Sequence, residues 1–158
     1  MVYEGSHQEY DVTVDKDVML SMRDGTRLAT DIYFPSNNGT RSSGEFPVIL
    51  ERTPYNKSMP GQVTKAKYFT RRGYVCVIQD VRGRLASEGE WYPFAKEAPD
   101  GYDTVEWLGT QPWCNGKVGT MGDSYAGSDQ AALATMNPPH LDTMIVAVGA
   151  SNYFDSSM

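Results

Sequence analysis

Apolar and polar residues alternate in the first part of the chain, on both sides of a turn signal. Residues 17–35 (DVMLSMRDGTRLATDIYFP) alternate before and after Asp24-Gly25, which is typical of a two-stranded antiparallel hairpin. The polar stretch that follows, residues 36–45 (SNNGTRSSGE), is rich in turn-forming residues. The pattern therefore predicts a hairpin followed by a loop.

Continuous apolar runs replace the alternation further along. The runs are residues 47–52 (PVILER), 74–81 (YVCVIQDV) and 142–151 (DTMIVAVGAS), together with the shorter 117–122 (KVGTMG). Helix-like segments separate them, at residues 63–73, 100–111 and 124–136. Continuous runs indicate strands buried on both faces, and their alternation with helices indicates a parallel sheet. We predict an α/β fold in which the antiparallel hairpin leads into a mostly parallel sheet flanked by helices.

Composition narrows the class of partner. The 158 residues are 40% hydrophobic, which suits one globular domain or part of one. Acidic residues outnumber basic ones 20 to 14, and the resulting charge of −6 argues against a nucleic-acid partner. A neutral or cationic small molecule fits this charge better. No segment approaches the roughly 20 apolar residues of a membrane span, and the start lacks a signal-peptide pattern, so we expect a cytoplasmic protein that does not bind membranes.

The two cysteines, Cys76 and Cys114, have no metal-binding spacing and are too few for a disulfide framework. We expect both to be reduced and buried. No residue pattern indicates a metal or an organic cofactor.

The junction of a strand and a helix carries the strongest chemical signal. In residues 117–136 (KVGTMGDSYAGSDQAALATM) the predicted strand ends and the helix begins at Ser124. A serine on such a sharp turn adopts a strained conformation, and small neighbours such as Gly122 and Ala126 are needed to avoid collision. The turn exposes the hydroxyl beside a helix N-terminus, which can stabilise an oxyanion. This arrangement is a nucleophile elbow.

The nucleophile-elbow motif is imperfect, and it has an alternative interpretation. The usual pattern G-x-S-x-G has glycine at the second position after the serine, where this chain has Ala126, and Gly127 follows one position later. A serine that caps an ordinary helix is the alternative interpretation.

Several blocks of the chain resemble the cocaine esterase and X-prolyl dipeptidyl-peptidase group of α/β-hydrolases. The blocks are residues 51–57 (ERTPYNK), 71–91 (RRGYVCVIQDVRGRLASEGEW) and 106–127 (EWLGTQPWCNGKVGTMGDSYAG), and the similarity runs in order from about residue 18 to residue 155. The elbow of that group resembles G-x-S-Y-x-G, so the resemblance accounts for Gly127.

The resemblance implies roles for three residues. Ser124 matches the nucleophile, the N–H of Tyr125 matches one oxyanion donor, and the hydroxyl of Tyr55 matches the second. Tyr55 follows the strand of residues 47–52, where α/β-hydrolases usually supply this second group. An aromatic residue that packs over a proline-flanked loop is the alternative for Tyr55.

Other polar and aromatic residues have structural explanations. Asp80, Arg82 and Glu88 lie after a strand, and we expect an Asp80–Arg82 pair that braces the loop rather than acid–base catalysts. Trp107 and Trp113 are expected in the core.

A serine nucleophile needs a base and an acid, and α/β-hydrolases supply them in the order serine, acid, histidine. The histidines are His7, upstream of the first strand, and His140, which a helix carries to the opposite end of the sheet. We expect both to be surface histidines. Asp155 could face the site, but in the group resembled the acid and histidine lie further along than residue 158.

The chain is accordingly predicted to be the amino-terminal portion of a hydrolase: residues 1–16 form a leader and the start of the first strand, and residues 17–158 an incomplete catalytic domain. Residues 142–151 are then left as an apolar sheet edge, which predicts self-association. The implied function is acyl-enzyme hydrolysis of an ester or amide, with acyl esters, amino-acid esters or X-prolyl peptides as substrate classes. The alternative is a noncatalytic chain that only folds, binds or self-associates.

Overall fold

The computed structural model describes residues 6–149, which form one mixed sheet with helices on both faces. The strands are β1 (Asp11–Ser21), β2 (Arg27–Asn37), β3 (Thr40–Arg41), β4 (Phe46–Thr53), β5 (Val75–Asp80), β6 (Cys114–Asp123) and β7 (Leu141–Ala147). The helices are α1 (Pro60–Thr70), α2 (Glu97–Gly109) and α3 (Tyr125–Ala134).

The strand order within the described residues is β1-β2-β5-β4-β6-β7, and β3 pairs with β2. β1 pairs with β2, and β2 with β5, in antiparallel fashion, whereas β5, β4, β6 and β7 are mutually parallel. The predicted fold class, an antiparallel hairpin followed by a mostly parallel sheet, is therefore confirmed. Because β4 and β6 are neighbours, the loops after their carboxyl ends lie side by side.

The core has one layer on each face of the sheet. On one face, α2 and α3 cover the larger cluster, which includes Leu50, Val77, Leu108, Val118 and Leu133. On the other face, α1 packs through Ala66 on Tyr33, Cys76 and Ile78. Trp107 and Trp113 pack against the larger cluster, as predicted. Cys76 and Cys114 are buried free thiols, in agreement with the sequence.

Several element boundaries differ from those predicted. β1 begins at Asp11 rather than near residue 17, because a bulge between Asp15 and Val18 interrupts the alternation that defines a strand in sequence. α1 and α2 each begin three residues early, at Pro60 and Glu97, since a proline in the first helical turn loses no hydrogen bond.

Among the described residues β7 lies at the edge of the sheet, as predicted, but its exposure corrects the expectation that both of its faces are buried. Its run of apolar residues indicated a strand buried on both faces, but most of β7 is exposed and Ile145 retains 65% of its accessible surface. Within the described part of the chain, β7 pairs only with β6. A run of apolar residues therefore does not show by itself how many faces of a strand are buried.

The predicted Asp80–Arg82 pair is wrong. Arg82 donates instead to Asp100 in the first turn of α2, at 2.9 and 2.6 Å, and also pairs with Asp24 at the hairpin turn. Asp80 accepts the backbone N–H of Lys57 at 2.8 Å. The buried Asp100 needs a cationic partner, so Arg82 ties the β5 loop to α2 and the hairpin rather than bracing its own turn.

The bend from β6 into α3 brings backbone atoms close together. A Cβ added at Gly122 would lie 2.5 Å from the carbonyl oxygen of Ala126. A Cβ added at Gly127 would lie 2.8 Å from the carbonyl oxygen of Ala147, at the end of β7. The second glycine is therefore required one position later than in the usual elbow pattern, because it is residue 127 that contacts β7.

We predict that Gly127→Ala destabilises the fold, because the added methyl group must displace the backbone of β7. Overpacking of this kind costs about 1–3 kcal/mol. Urea unfolding measures the change, and Gly61→Ala in α1 is the control, since a Cβ there meets nothing within 4 Å. Equal or greater stability of Gly127→Ala would contradict the close contact.

A second prediction concerns the β7 edge, which we expect to pair with other molecules. Ile145→Lys places a charge on the edge and should shift the chain toward monomer in sedimentation velocity. Val14→Lys on β1, the opposite edge, is the control, because β1 already carries charged residues. A wild-type chain that sediments as one stable monomer would overturn this prediction.

Candidate active site

Ser124 occupies the turn between β6 and α3 in a strained backbone conformation. Its φ of 56° and ψ of −119° lie outside the regions favoured by residues with a side chain. The Ser124 N–H donates to the carbonyl of Ala147 at 3.1 Å, and the Ser124 carbonyl accepts the N–H of Ser128 at 3.0 Å. These two hydrogen bonds hold the backbone on both sides of the strained residue.

The Ser124 side chain is exposed and does not cap the helix. Ser124 stands at the N-cap position of α3, yet its hydroxyl makes no capping hydrogen bond. A capping serine normally has extended dihedral angles and accepts an N–H from the first helical turn. The simple capping interpretation is therefore wrong, and the hydroxyl is free to face the carboxyl end of the sheet.

The hydroxyl of Tyr55 lies 3.4 Å from Oγ of Ser124. Tyr55 is half exposed and follows the carboxyl end of β4, next to β6 in the sheet. Since a hydrogen bond between two hydroxyls is normally 2.7–2.8 Å long, this contact is a loose one. The two hydroxyls are close together but form only a weak hydrogen bond with each other.

The backbone N–H of Tyr125 directly follows Ser124 in the chain and is the first N–H of α3. The first N–H groups of a helix have no acceptor within the helix, and the helix dipole adds partial positive charge there. Ser124 therefore has two hydrogen-bond donors on neighbouring residues, the N–H of Tyr125 and the hydroxyl of Tyr55.

The Tyr125 side chain is buried and fixed. Its ring stacks on Phe94 at 4.1 Å between centroids, and its hydroxyl accepts the N–H of Phe94 at 3.0 Å. The same hydroxyl donates to Oε1 of Glu97 at 2.8 Å. Burial, followed by the charge of Glu97, raises the pKa of Tyr125 above its usual value, so the phenol stays protonated and can donate.

A buried ion pair extends this contact to the Tyr55 side of the site. Nη1 of Arg52 lies 2.8 Å from Oε2 of Glu97, and both side chains are almost fully buried. Arg52 is in β4, three residues before Tyr55. Tyr125, Glu97 and Arg52 therefore form a continuous series that connects the two loops of the site.

Asp129 lies in α3 behind this series. Burial raises the pKa of Asp129 well above its usual value, an effect that the charge of Arg52 opposes. The sequence analysis singled out none of Arg52, Glu97 and Asp129. Charged residues at the end of the apolar run of residues 47–52 are the signal that could have identified Arg52.

A cleft of about 320 Å³ opens beside Tyr55 and Asp123. Its lining residues are Tyr55, Met59, Gly61, Gln62, Lys65 and Asp123. Lys65 is not a free cation there, because its ammonium pairs with the buried carboxylate of Glu51. Another cavity, of about 360 Å³, lies on the α1 face between Phe69 and Ile145, away from Ser124.

Neither histidine faces Ser124. His140 immediately precedes β7, and its carbonyl accepts the N–H of Val118 near the amino end of β6, so it lies at the opposite end of the sheet from Ser124. It is not a solvated surface histidine as predicted: Nδ1 lies 2.8 Å from the Glu106 carboxylate, and only 28% of the side chain is exposed.

His7 is exposed and also lies away from Ser124, toward the amino ends of the parallel strands. The neighbouring carbonyl of Ser6 accepts a hydrogen bond from Arg72, just before the amino end of β5. Asp155, the other residue considered in sequence, lies outside the described residues.

Residues 6–149 contain no group of three or more metal-ligating side chains placed to hold an ion. No helix among these residues is long and apolar enough to cross a bilayer.

Comparison with known proteins agrees with this geometry. Residues 24–158 match the X-Pro dipeptidyl-peptidase family (S15 family). A cocaine esterase from Rhodococcus sp. (strain MB1 Bresler) is 44% identical over 146 residues, which cover 90% of this chain and 25% of the esterase. The chain thus spans about a quarter of the length of the curated relatives it matches.

Solved structures give the same result. A CocE/NonD family hydrolase from Staphylococcus aureus superposes with a TM-score of 0.77 at 31% identity, covering 87% of this chain and 28% of the hydrolase. An α-amino acid ester hydrolase superposes with a TM-score of 0.74 at 29% identity, covering 95% of this chain and 27% of that chain.

The resemblance predicted from residues 51–57, 71–91 and 106–127 is therefore confirmed. With its strained serine turn, its α/β-hydrolase sheet and a family match over most of its length, this chain belongs to the X-Pro dipeptidyl-peptidase (S15) family of serine hydrolases, which includes esterases and peptidases.

Proposed function

We propose that Ser124 is the nucleophile of a serine hydrolase that cleaves an ester or amide through an acyl-enzyme. The single observation that carries this proposal is the 3.4 Å approach of the Tyr55 hydroxyl to Oγ of Ser124 at a strained strand–helix turn. Family membership supports the reaction class. Acyl esters, amino-acid esters and X-prolyl peptides are the substrate classes we propose on that basis.

In the proposed reaction, Oγ of Ser124 attacks the substrate carbonyl carbon while a base takes the hydroxyl proton. Negative charge develops on the carbonyl oxygen, which is hydrogen-bonded by the Tyr55 hydroxyl and the Tyr125 N–H. The tetrahedral intermediate collapses and expels the alcohol or amine. Water then attacks the acyl-enzyme, and release of the acid restores the serine.

The loose contact between the two hydroxyls suits this sequence of steps. Catalytic hydrogen bonds in a free enzyme are often long and tighten only when substrate is bound. In the free enzyme the Tyr55 hydroxyl is held only weakly by Ser124, so it can donate a hydrogen bond to the oxyanion when the negative charge develops. Stabilisation is then greater in the transition state than in the ground state, which is what accelerates the reaction.

The base and the acid that orients it are proposed to come from sequence outside residues 1–158. Both histidines of this chain lie at the amino ends of the strands, whereas Ser124 lies at a carboxyl end. Residues 17–158 are accordingly proposed to form an incomplete catalytic domain of a cytoplasmic protein. For the 158 residues alone we expect little or no turnover, because binding and oxyanion stabilisation without a base leave only a small part of the rate enhancement.

We predict that a fluorophosphonate labels Ser124 in the intact natural polypeptide, which supplies the base, and that Ser124→Ala abolishes labelling. The serine displaces fluoride and forms an Oγ–P bond, so intact mass and peptide mapping identify the product. The 158-residue chain and the intact natural polypeptide that contains it are measured in parallel. The control is Ser58→Ala, which removes a hydroxyl from the exposed loop beside Tyr55.

Labelling of another residue, or of none in the intact polypeptide, would contradict the proposal. Turnover of p-nitrophenyl acetate by the intact polypeptide that is no faster than by its Ser124→Ala variant would then favour the alternative, a noncatalytic chain that only folds, binds or self-associates.

We further predict that Tyr55→Phe slows the reaction of Ser124, because the oxyanion loses one donor. Loss of one such donor typically costs about 3 kcal/mol, or roughly a hundredfold or more in rate. Tyr68→Phe in α1 is the matched control, since Tyr55 and Tyr68 are each 50% exposed. A labelling rate in Tyr55→Phe equal to that of the control would exclude Tyr55 from the oxyanion hole.

A further inference from the structure

The loop that carries Tyr55 is anchored two residues further on, at Lys57. This lysine is only 4% exposed, although it lies in the loop that follows the carboxyl end of β4. Its backbone N–H donates to Oδ1 of Asp80 at 2.8 Å. Its ammonium lies 2.7 Å from Oδ1 of Asp17 and 3.0 Å from Oδ1 of Asp31. Lys57 therefore joins the end of β5 to the hairpin.

On the hairpin, two carboxylates bind the ammonium of Lys57. Asp17 has a φ of 53° in the bulge of β1, and its N–H donates to Oδ1 of Asp31 at 3.0 Å. Asp31, in β2, is completely buried and accepts both this N–H and the Lys57 ammonium on the same oxygen. The bulge that interrupts the β1 pattern thus turns toward Lys57.

The charge on Lys57 is retained despite burial. Burial lowers the pKa of Lys57, but the hydrogen bonds to Asp17 and Asp31 outweigh it and leave the pKa above its ordinary value. Burial raises the pKa of Asp80, which still accepts the Lys57 N–H. The ammonium is therefore a permanent anchor at neutral pH.

Between this anchor and Tyr55 lies a strained residue. Asn56 has a φ of 94°, and its side-chain oxygen accepts the N–H of Ser58 at 2.9 Å. On the other side, the N–H of Tyr55 donates to Oγ1 of the buried Thr53 at 3.1 Å. A strained turn of this kind persists only when the structure around it fixes both of its ends.

We propose that Lys57 is a positioning residue of the oxyanion hole: its buried ammonium, bound to Asp17 and Asp31, holds the strained Asn56 turn so that the Tyr55 hydroxyl faces Ser124. This inference rests on the proposed function. Lys57 itself takes no part in proton transfer, because it is buried and its ammonium is bound to carboxylates on the hairpin. Its effect reaches the reaction only through the place and direction of the Tyr55 hydroxyl.

The test removes the ion pair without leaving a buried charge unpaired. Lys57→Met alone would strand Asp31 without its cation and could unfold the chain. The double variant Lys57→Met/Asp31→Asn replaces both charges by neutral groups of similar size. The matched control is Lys117→Met/Asp142→Asn, which removes an exposed ion pair of 3.3 Å near the opposite end of β6.

The readout is the rate constant for fluorophosphonate labelling of Ser124 in the intact natural polypeptide, which supplies the base, resolved into the maximal rate and the half-saturating concentration. A misplaced catalytic group can cost about a hundredfold in rate, so we expect a fall of roughly tenfold to a hundredfold in the maximal rate with little change in half-saturation. In a Tyr55→Phe background the same double variant should change the rate by less than about twofold, since the hydroxyl it positions is already gone.

Circular dichroism before labelling shows whether the double variant is folded. If it is not, Asp17→Asn is used, since it removes the partly exposed carboxylate and leaves the Lys57–Asp31 contact. A smaller fall in rate is then expected, and it should again disappear in the Tyr55→Phe background.

Three results are distinguishable. A wild-type Ser124 that does not react contradicts the proposed function and leaves no oxyanion for Lys57 to serve. A reactive wild type whose folded double variant reacts at the same rate overturns the positioning role alone. An equal fall in the Tyr55 and Tyr55→Phe backgrounds also overturns it, because Lys57 then acts on something other than the Tyr55 hydroxyl.

Discussion

The backbone contact where β6 turns into α3 is the constraint on which the site depends. Ser124 adopts a positive φ, its N–H bonds to the carbonyl of Ala147, and Gly127 lies against the same carbonyl with no room for a side chain. The strain is local, but the contacts that maintain it come from the parallel neighbour β7 and from the first turn of α3. The exposed hydroxyl at the carboxyl end of β6 thus depends on how tightly the next strand packs.

Buried charged groups hold the two loops on either side of this turn. Glu97, paired with Arg52, accepts the hydroxyl of Tyr125, the first residue of α3. Lys57, paired with acids of the hairpin, holds the loop of Tyr55. A buried charge is costly unless it is paired with an opposite charge at hydrogen-bonding distance. The ion pairs of Glu97 and Lys57 therefore fix the positions of the side chains that form them. A site that must hold donors in place against a developing charge makes use of such directional contacts.

Much of the fold follows from the sequence because hydrophobic periodicity reports strands and helices directly. The Asp24-Gly25 hairpin, the strand–helix alternation and the turn at Ser124 were predicted from pattern and local chemistry. The early start of β1 was not, since the bulge at Asp17 breaks the period that identifies a strand. The edge position of β7 was predicted, but the exposure of its faces was not, because coverage depends on what packs against a strand and not on its own residues.

The site was predictable in part for the same reason. Ser124 lies on a motif that local sequence reveals, whereas the role of Tyr55 was implied only by the family resemblance. The fold brings the two residues together because β4 and β6 are adjacent. Arg82 was assigned the wrong partner, and Glu97 and Lys57 were missed. Ion pairs such as Arg52–Glu97 join residues far apart in sequence, so no short-range pattern contains them.

The central claim is that Ser124, Tyr55 and Tyr125 form one reactive centre. The most direct measurement is a crystal structure of the intact natural polypeptide that contains this chain, after its reaction with a fluorophosphonate. The account predicts phosphorus bonded to Oγ of Ser124, with the phosphoryl oxygen about 2.7–3.1 Å from both the Tyr55 hydroxyl and the Tyr125 nitrogen. A phosphoryl oxygen directed to solvent, with Tyr55 turned away from it, would contradict the account.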